Sequence, residues 1–551
     1  MHTRLSRGRR RGPMTALTVA AVLAIALPAS TVGTARYPNP DFEYVTLTPA
    51  AAGGTVIALI NSGDTFDGVT FEGIPDGLGV VPVGKGERYV DVYVAFEQSH
   101  VPFDADAAGP QPAFADFEDS SVQRARLDLK TMQLTKLDEV LPPSAGFIRF
   151  CSAFMAGPNE GFSGYTFFVN EESDDVINVP AGAPYGADPS VTPYRQAGYS
   201  VGINTKTGAY TEIPILGRLN HENTVVVPGG WDETVVLSGD DTFNAPGSQL
   251  YMGTAASPSE LVGDGGDLWA FRVTGTDAGT VNAADPQNNA NDFLEIEPGD
   301  TWTGEFIHVR DDIARGTTSE RPQTGLENWS NANNVFQFVR VEDVATDPDN
   351  PRVVYFTDTG TTRLKEDPAT GRLFRASASA VPYINTDGRV FKMVLNEDDP
   401  TIVDELSIVA EGRLAEQLTA PAPPGIPDFN VIDPGVGFRS PDNLAVGHTS
   451  LMLQEDASNA KIWRFDLAST WTHVGTVTHP TAPSAGESSG IIDMSAWLGA
   501  GWWALDVQSH VNLPGQQGPF SYTTPISGAV ISPYFTRRED GQLLLVQVPG
   551  S

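Results

Sequence analysis

The chain of 551 residues is 40 % hydrophobic and 19 % charged, with 55 Gly, 42 Pro and a single Cys. That apolar content can bury a large core and excludes wholesale disorder, and one thiol excludes a disulfide scaffold. A net charge of −35 repels nucleic-acid backbones and anionic membranes; it suits cations, or metal sites that reverse the field locally for an anionic substrate.

The N-terminus reads Arg7-Gly8-Arg9-Arg10-Arg11, then an apolar run from Met14 to Leu27, then small residues to Gly33-Thr34-Ala35. These are the basic, hydrophobic and cleavable parts of an export signal, and the apolar run is too short for a good membrane span. We expect a signal peptide over residues 1–35 and one mature domain over 36–551, secreted or periplasmic. Adjacent arginines allow the twin-arginine route. The hydrophobic residues that normally follow them are missing, so the Sec route is equally open. No later segment is apolar enough to give a stable membrane span.

Beyond the signal, amphipathic helical periodicity is nearly absent. Short Val, Ile, Phe and Tyr runs bounded by Gly, Pro, Asn and Asp indicate an all-β protein. A run that ends in an acid recurs: Val92 to Glu97, Thr166 to Glu171, Val235 to Asp240, Val353 to Asp358, Leu451 to Asp456 and, more weakly, Trp502 to Asp506. Upstream of each lies a second strand with a polar head, in Pro75-Asp76-Gly77, Phe150-Cys151-Ser152, His221-Glu222-Asn223, Val341-Glu342-Asp343, Pro441-Asp442-Asn443 and Ile492-Asp493-Met494. Six copies of a multi-stranded unit predict a six-bladed β-propeller with long surface insertions. The widest gap between copies places one insertion at residues 255–335, including the turn-rich Asp285 to Asn289. Ser120 to Leu137 is the one fair helix candidate, with strand and loop as its other reading.

One strand of each blade lines a propeller's channel, so equivalent polar heads converge on one axis. The upstream heads are Asp76, Cys151, Glu222, Glu342, Asp442 and Asp493; a second ring adds Glu97, Glu171, Glu172, Asp240, Asp358 and Asp456. So many anions repel one another unless multivalent cations sit among them. Carboxylates suit calcium and a thiolate suits iron or zinc, so the mixed set points to more than one metal. Any single acid at a strand end is by itself an ordinary turn-former. Arg340 shares a strand face with Glu342, and either pairs with it or clamps a phosphate-like anion. His221 faces the other way and is read as structural. Asp347-Pro348-Asp349-Asn350 is read as a turn.

The ordered set Ile74 to Gly79, Cys151-Ser152, Asn170-Glu171-Glu172, Gly217 to Glu222, Val235 to Asp241, Arg340 to Asp343 and Ser440 to Leu444 resembles the PhoX-type alkaline phosphatase family over about residues 70 to 465. The resemblance implies a six-bladed propeller that holds ferric iron and calcium at the channel mouth and hydrolyses phosphate monoesters. By it, Cys151 and Glu222 would be iron ligands, Glu342 would bridge or bind metal, and Arg340 would hold the substrate phosphate. Glu97 matches the acid of the family's Asn-His-Glu segment, and Glu172, Asp442 and Asp456 would serve iron or calcium. Three segments depart from the pattern: Ala95-Phe96-Glu97 replaces Asn-His-Glu, Val341 replaces a proline, and Ala153 replaces a glycine.

The expectation is therefore an exported, monomeric, metal-dependent phosphoesterase acting on a small phosphorylated substrate. Two rivals keep the fold and change the chemistry: a secreted propeller that binds without catalysis and uses calcium as a support, and a calcium-dependent propeller lactonase or esterase. Neither needs Cys151.

Overall fold

The computed structural model describes residues 36–551, apart from 85–87, 99–117, 175, 178–194, 243–246, 283–289, 319, 378–379, 381–382, 413, 419–436, 468–469, 483–485, 514–519, 524–529 and 535–538. The expected export signal and the segment Asp285 to Asn289 lie outside the described residues. Those residues contain no helix long and apolar enough to cross a membrane.

Hydrophobic alternation with period two gives β-strands, and these assemble into six antiparallel blades. From the channel outward, blade 1 holds Pro75–Pro82, Tyr89–Phe96, Glu118–Asp128 and Gln133–Leu141, and blade 2 holds Phe150–Ala156, Thr166–Glu171, Ser200–Asn204 and Tyr210–Glu212. Blade 3 holds His221–Val226, Thr234–Asp240, Leu250–Ala255 and Asp267–Thr276; blade 4 holds Val341–Asp347, Asn350–Asp358, Arg389–Leu395 and Ile402–Glu411. Blade 5 holds Pro441–Val446, Leu451–Glu455, Lys461–Phe465 and Trp471–Val477. Blade 6 is composite: Glu487–Asp493, Trp502–Asn512 and Glu539–Gln547 are completed on the outside by the N-terminal strand Thr55–Asn61. Each inner strand packs on the inner strands of both neighbouring blades, so the ring closes. Val45–Leu47 adds a further edge strand to blade 5. Residues from both ends of the domain thus meet in blades 5 and 6, which leaves no open seam.

The core lies between blades. Leu78, Val92, Val94 and Phe96 of blade 1 bury against Ala504, Leu543 and Leu545 of blade 6. Val225, Leu237 and Met252 of blade 3 join Val344, Phe356 and Phe391 of blade 4 through the aromatic cluster of Phe271, Phe336 and Phe338. Each such aromatic ring contributes roughly 1.5–3 kcal/mol by leaving water.

Of the two readings open for Ser120 to Leu137 the structure takes strand and loop: it is two strands and a turn, because Ala125 and Leu127 are buried while Arg124 and Arg126, alternating with them, pair with Asp138 and Asp91. Residues 255–335 are only partly an insertion. Asp267–Thr276 is blade 3's outer strand, and Trp302–Val309 joins it to Ile402–Glu411, fusing blades 3 and 4 into one sheet. The helix Pro322–Ala332 then folds back on blade 3: Gln323 accepts from the Asn220 amide at 2.9 Å and donates to Asp240 at 3.1 Å.

Candidate metal centre

One irregularity, repeated six times, builds the site. Every inner strand breaks register with its neighbour at the same point: between Pro75 and Leu78, Phe150 and Ala153, His221 and Thr224, Val341 and Val344, Pro441 and Leu444, and Ser488 and Ile491. At each bulge two residues oppose one, so two successive side chains serve the channel. The first of each pair is Asp76, Cys151, Glu222, Glu342, Asp442 or Ser489, and the five other than Ser489 line a cavity of about 220 Å³ at one end of the channel. The second is Gly77, Ser152, Asn223, Asp343, Asn443 or Gly490, and these line a separate cavity beyond the bulges.

The loops entering the inner strands add cations. Ile74, Arg149, Arg340 and Ser440 each stand immediately before an inner strand with φ of 50°, 40°, 65° and 47°. This left-handed backbone is costly for a side-chain-bearing residue and persists only where the surroundings enforce it. The enforcing group in three blades is the acid that ends the second strand. Glu171 accepts from the Ile148 amide at 3.0 Å, Asp358 from the Val339 amide at 2.6 Å, and Glu455 from the Arg439 amide at 3.0 Å. One residue further on, the side chain faces the cavity instead, as the period of two requires: Glu97, Glu172, Asp241, Asp456 and Gln508 line it.

Within the cavity, potential donor atoms fall into three overlapping groups whose members lie within 4.8 Å of one another: Asp76–Glu97–Cys151, Cys151–Glu172–Glu222 and Glu222–Glu342–Asp442. Cys151 and Glu222 are each shared between two groups. The Cys151 thiol donates to Asp76 at 3.4 Å, and Gln508 donates to Asp76 at 2.7 Å and Glu97 at 3.0 Å. Thr359 donates to Glu342 at 2.6 Å. Arg340 grips Asp241 through Nε at 2.7 Å and Nη2 at 2.9 Å and lies 3.2 Å from Glu342. Arg149 lies 3.7 Å from both Glu97 and Glu172. His510 bridges Glu487 at 3.2 Å and Glu539 at 2.9 Å; burial opposes its charge, but these carboxylates outweigh it and push its pKa up to about 11.

Burial, then repulsion by neighbouring carboxylates, holds Glu222 and Asp442 well above the usual carboxylate range. Glu342 is pushed the same way by burial and Asp241, with Arg340 and Thr359 opposing. Burial and the charges of Asp76 and Glu222 raise the Cys151 thiol likewise. A multivalent cation among these groups would reverse every one of those shifts. The donor set fits such ions. Asp76 Oδ1 and Glu222 Oε2 are buried with no hydrogen-bond partner, hard carboxylate oxygens suit calcium, and the thiol adds a ligand for iron or zinc.

Of the residues singled out in the sequence, Asp76, Glu97, Cys151, Glu172, Glu222, Arg340, Glu342, Asp442 and Asp456 meet in this cavity. Glu171 and Asp240 do not: Glu171 holds backbone amides of Ile148, Gly198 and Tyr199, and Asp240 accepts from Thr242 and Gln323. Asp358 likewise holds a loop. Asp493 sits at the far end of its strand, lining the second cavity, because blade 6 places Ser489 at the equivalent bulge position. His221 is buried away from the cavity lining, bonded to Ser238 and Gly217, and burial lowers its pKa to about 4. Asp347 accepts from the Asp349 amide at 2.8 Å in the expected turn. Phe96 packs edge-on against Phe71 in the core.

Arg149, Asp241, Glu487, Gln508 and His510 also line the cavity and were not singled out. Two had a signal: Arg149-Phe150-Cys151 repeats the phase of Arg340-Val341-Glu342, and Asp241 follows Asp240 as Glu172 follows Glu171. Nothing in the sequence pointed to Glu487 and His510.

The profile of the family described as alkaline phosphatase PhoX matches residues 166–487. No curated protein sequence matches the chain. Among solved structures, PhoX of Pseudomonas fluorescens in complex with vanadate, a transition state analogue, is similar at TM-score 0.56 and 14 % identity, over 94 % of this chain and 98 % of that one. That likeness is one of fold. The β-propeller domain of Myceliophteria thermophila Cps50 (Swd1) matches 85 % of this chain and 99 % of its own at 7 % identity and TM-score 0.30.

Proposed function

The chain belongs to the PhoX alkaline phosphatase family, and we propose that it is an exported phosphoesterase that hydrolyses phosphate monoesters in the mouth of the propeller channel, using iron and calcium. The observation that carries this reading is the meeting of Cys151, Glu222, Glu342 and Arg340 in one buried cavity. The matched interval supplies Glu172, Glu222, Asp241, Arg340, Glu342, Asp442 and Asp456.

Cys151, Glu172 and Glu222 would hold iron; Glu342 and Asp442, with Asp456, would complete that centre and hold calcium. Such ions, when bound, act as Lewis acids on phosphate oxygens and lower the pKa of an attacking water. The chain's own residues do the rest. Arg340 neutralises charge that grows on the phosphoryl oxygens, in a geometry fixed by its fork on Asp241. Thr359 orients Glu342 by donating to its Oε1. His510, kept protonated by Glu487 and Glu539, adds a fixed positive charge that favours an anion in a strongly acidic protein. Gln508 ties Asp76 to Glu97 with a neutral amide, where the segment Ala95-Phe96-Glu97 provides no polar neighbour.

The test is hydrolysis of p-nitrophenyl phosphate, bis-p-nitrophenyl phosphate and a simple lactone by protein purified without chelators. Monoester turnover that falls by about 10²–10³ in Arg340→Ala supports the reading. Lactone turnover indifferent to Arg340 would replace it with the calcium-dependent esterase, and no turnover by protein loaded with both metals would leave a binding propeller.

A further inference from the structure

The cavity beyond the bulges, of about 580 Å³, reaches solvent past the exposed Asn159 and Pro348. Apolar side chains such as Leu78, Val225 and Ile491 share its walls with the rings of Phe154 and Trp497. Three carboxylates stand among them, Glu160 after the inner strand of blade 2, Asp343 in blade 4 and Asp493 in blade 6, and no Lys, Arg or His lines it. All their hydrogen-bond donors are neutral. Glu160 accepts from the Gly157 amide at 2.7 Å, and Asp493 accepts from the Ser495 amide at 2.7 Å and hydroxyl at 2.8 Å. Asp343 accepts from the amides of Val344 at 2.8 Å and Leu444 at 2.9 Å and from the side chain of Asn223. Burial pushes the Glu160 carboxyl up, with only the backbone amides of Gly157 and Glu160 opposing. The turn around Pro348 adds Asp347 and Asp349, and Asp349 engages the exposed His448 at 2.9 Å. Acids thus line or border this end of the channel in blades 2, 4 and 6, and the three in the cavity wall have no basic partner among the described residues.

We propose that this cavity binds a small organic ammonium ion with an apolar body, its charge beside Glu160 and Asp493 and its body against the apolar walls. Charge complementarity carries the choice. Carboxylates bonded only to neutral donors keep their negative charge, and low-dielectric walls strengthen their pull on a cation. An anion would meet both these acids and a net charge of −35, while a neutral molecule would gain only the apolar contacts. A bare metal ion fits the mouth better, where donor atoms crowd within 4.8 Å; Glu160, Asp343 and Asp493 form no such group among the described residues. Trp497 and Phe154 add aromatic area that favours an ammonium and its apolar body alike. The volume suits a ligand on the order of 20 non-hydrogen atoms. Nothing here rests on the phosphatase reading, so the two fail separately.

Three probes share a naphthalene body and differ in charge: 1-naphthylmethylammonium, 1-naphthalenemethanol and 1-naphthoate. Each is titrated calorimetrically into the full mature protein in saturating calcium, which competes with the ammonium for the acids of the mouth. The ammonium should bind about tenfold more tightly than the alcohol, the carboxylate should bind most weakly, and added salt should narrow the gap. Glu160→Gln keeps an acceptor for the Gly157 amide; it should weaken the ammonium by about three- to fivefold and leave the alcohol unchanged. Thr346→Lys, which brings a positive charge to the lining from blade 4, should reverse the order so that naphthoate binds best. Equal affinity for ammonium and alcohol, or no binding of any probe, overturns the proposal. Ammonium binding untouched by Thr346→Lys in folded protein places the cation elsewhere and overturns it too. If that variant fails to fold, Glu160→Gln decides: an unchanged ratio of ammonium to alcohol affinity removes the assignment.

Discussion

On one side of the bulges, the channel is a cavity of about 220 Å³ lined by nine carboxylates, a thiol, two guanidiniums, an imidazole and one amide. On the other side, the same six strands line a cavity of about 580 Å³, with Leu78, Met155, Val225, Val344, Leu444 and Ile491 in its walls and the polar residues Ser152, Asn223, Asp343 and Asn443 in its floor. A single extra residue per strand separates the two. Because a bulge turns two successive side chains toward the axis, the dipeptides Asp76-Gly77, Cys151-Ser152, Glu222-Asn223, Glu342-Asp343 and Asp442-Asn443 each write one residue to the mouth and one to the floor. The first positions are chosen for charge or thiolate chemistry, the second for small size or for bonding to the neighbouring strand.

The largest effect should come from the residue shared by two donor groups. Glu222→Gln removes a charge from both the Cys151 and the Glu342 groups, so bound metal should drop by more than about 100-fold in affinity, read by elemental analysis after dialysis. A variant that keeps wild-type metal would break the comparison, because the mouth would then not be built around cations. Gly490→Ala should come next. A Cβ there would lie 2.3 Å from the Asp76 carbonyl oxygen, in backbone that separates the two cavities, and the clash should destabilise the fold by about 1–3 kcal/mol in denaturant unfolding.

The smallest and most discriminating contrast is between neighbours. Glu171→Gln should cost about 1–2 kcal/mol of stability, since three backbone amides lose a charged acceptor, and should keep its metal. Glu172→Gln, one residue on, should do the reverse: metal content falls and the metal-free protein melts as wild type does. If both variants lose stability and neither loses metal, the alternation of loop-holding and cavity-facing acids is wrong.

That alternation also explains how far the sequence could be read. The six-fold recurrence of strand runs gave the propeller, and the polar heads from Asp76 to Asp442 fell at equivalent places because repetition compensates for weak single motifs. The recurring acid at the end of each second strand was legible as a pattern but ambiguous in role. Glu171, Asp240 and Asp358 end in the blade, while Glu97, Glu172 and Asp456 enter the cavity, and only the register decides which. A one-residue change of phase reverses the direction of a side chain. Blade 6 was misphased for a related reason: Ser489-Gly490 carries no charge, so Asp493 stood out although it belongs to the far end of the strand. Arg149 was missed because its left-handed backbone, φ 40°, is set by Glu171 holding the preceding amide. That coupling runs between the two innermost strands of one blade, so the only mark in the sequence is the shared phase of Arg149-Phe150-Cys151 and Arg340-Val341-Glu342.

The central claim is that the thiol and the acids of the mouth form one metal centre, and elemental analysis of unchelated mature protein beside Cys151→Ser tests it most directly. The expected result is iron near stoichiometric together with calcium in the wild type, and loss of iron with calcium largely retained in the variant. Calcium without iron in both proteins would contradict it, leaving Cys151 a buried thiol with no part in metal binding and the mouth a calcium site alone.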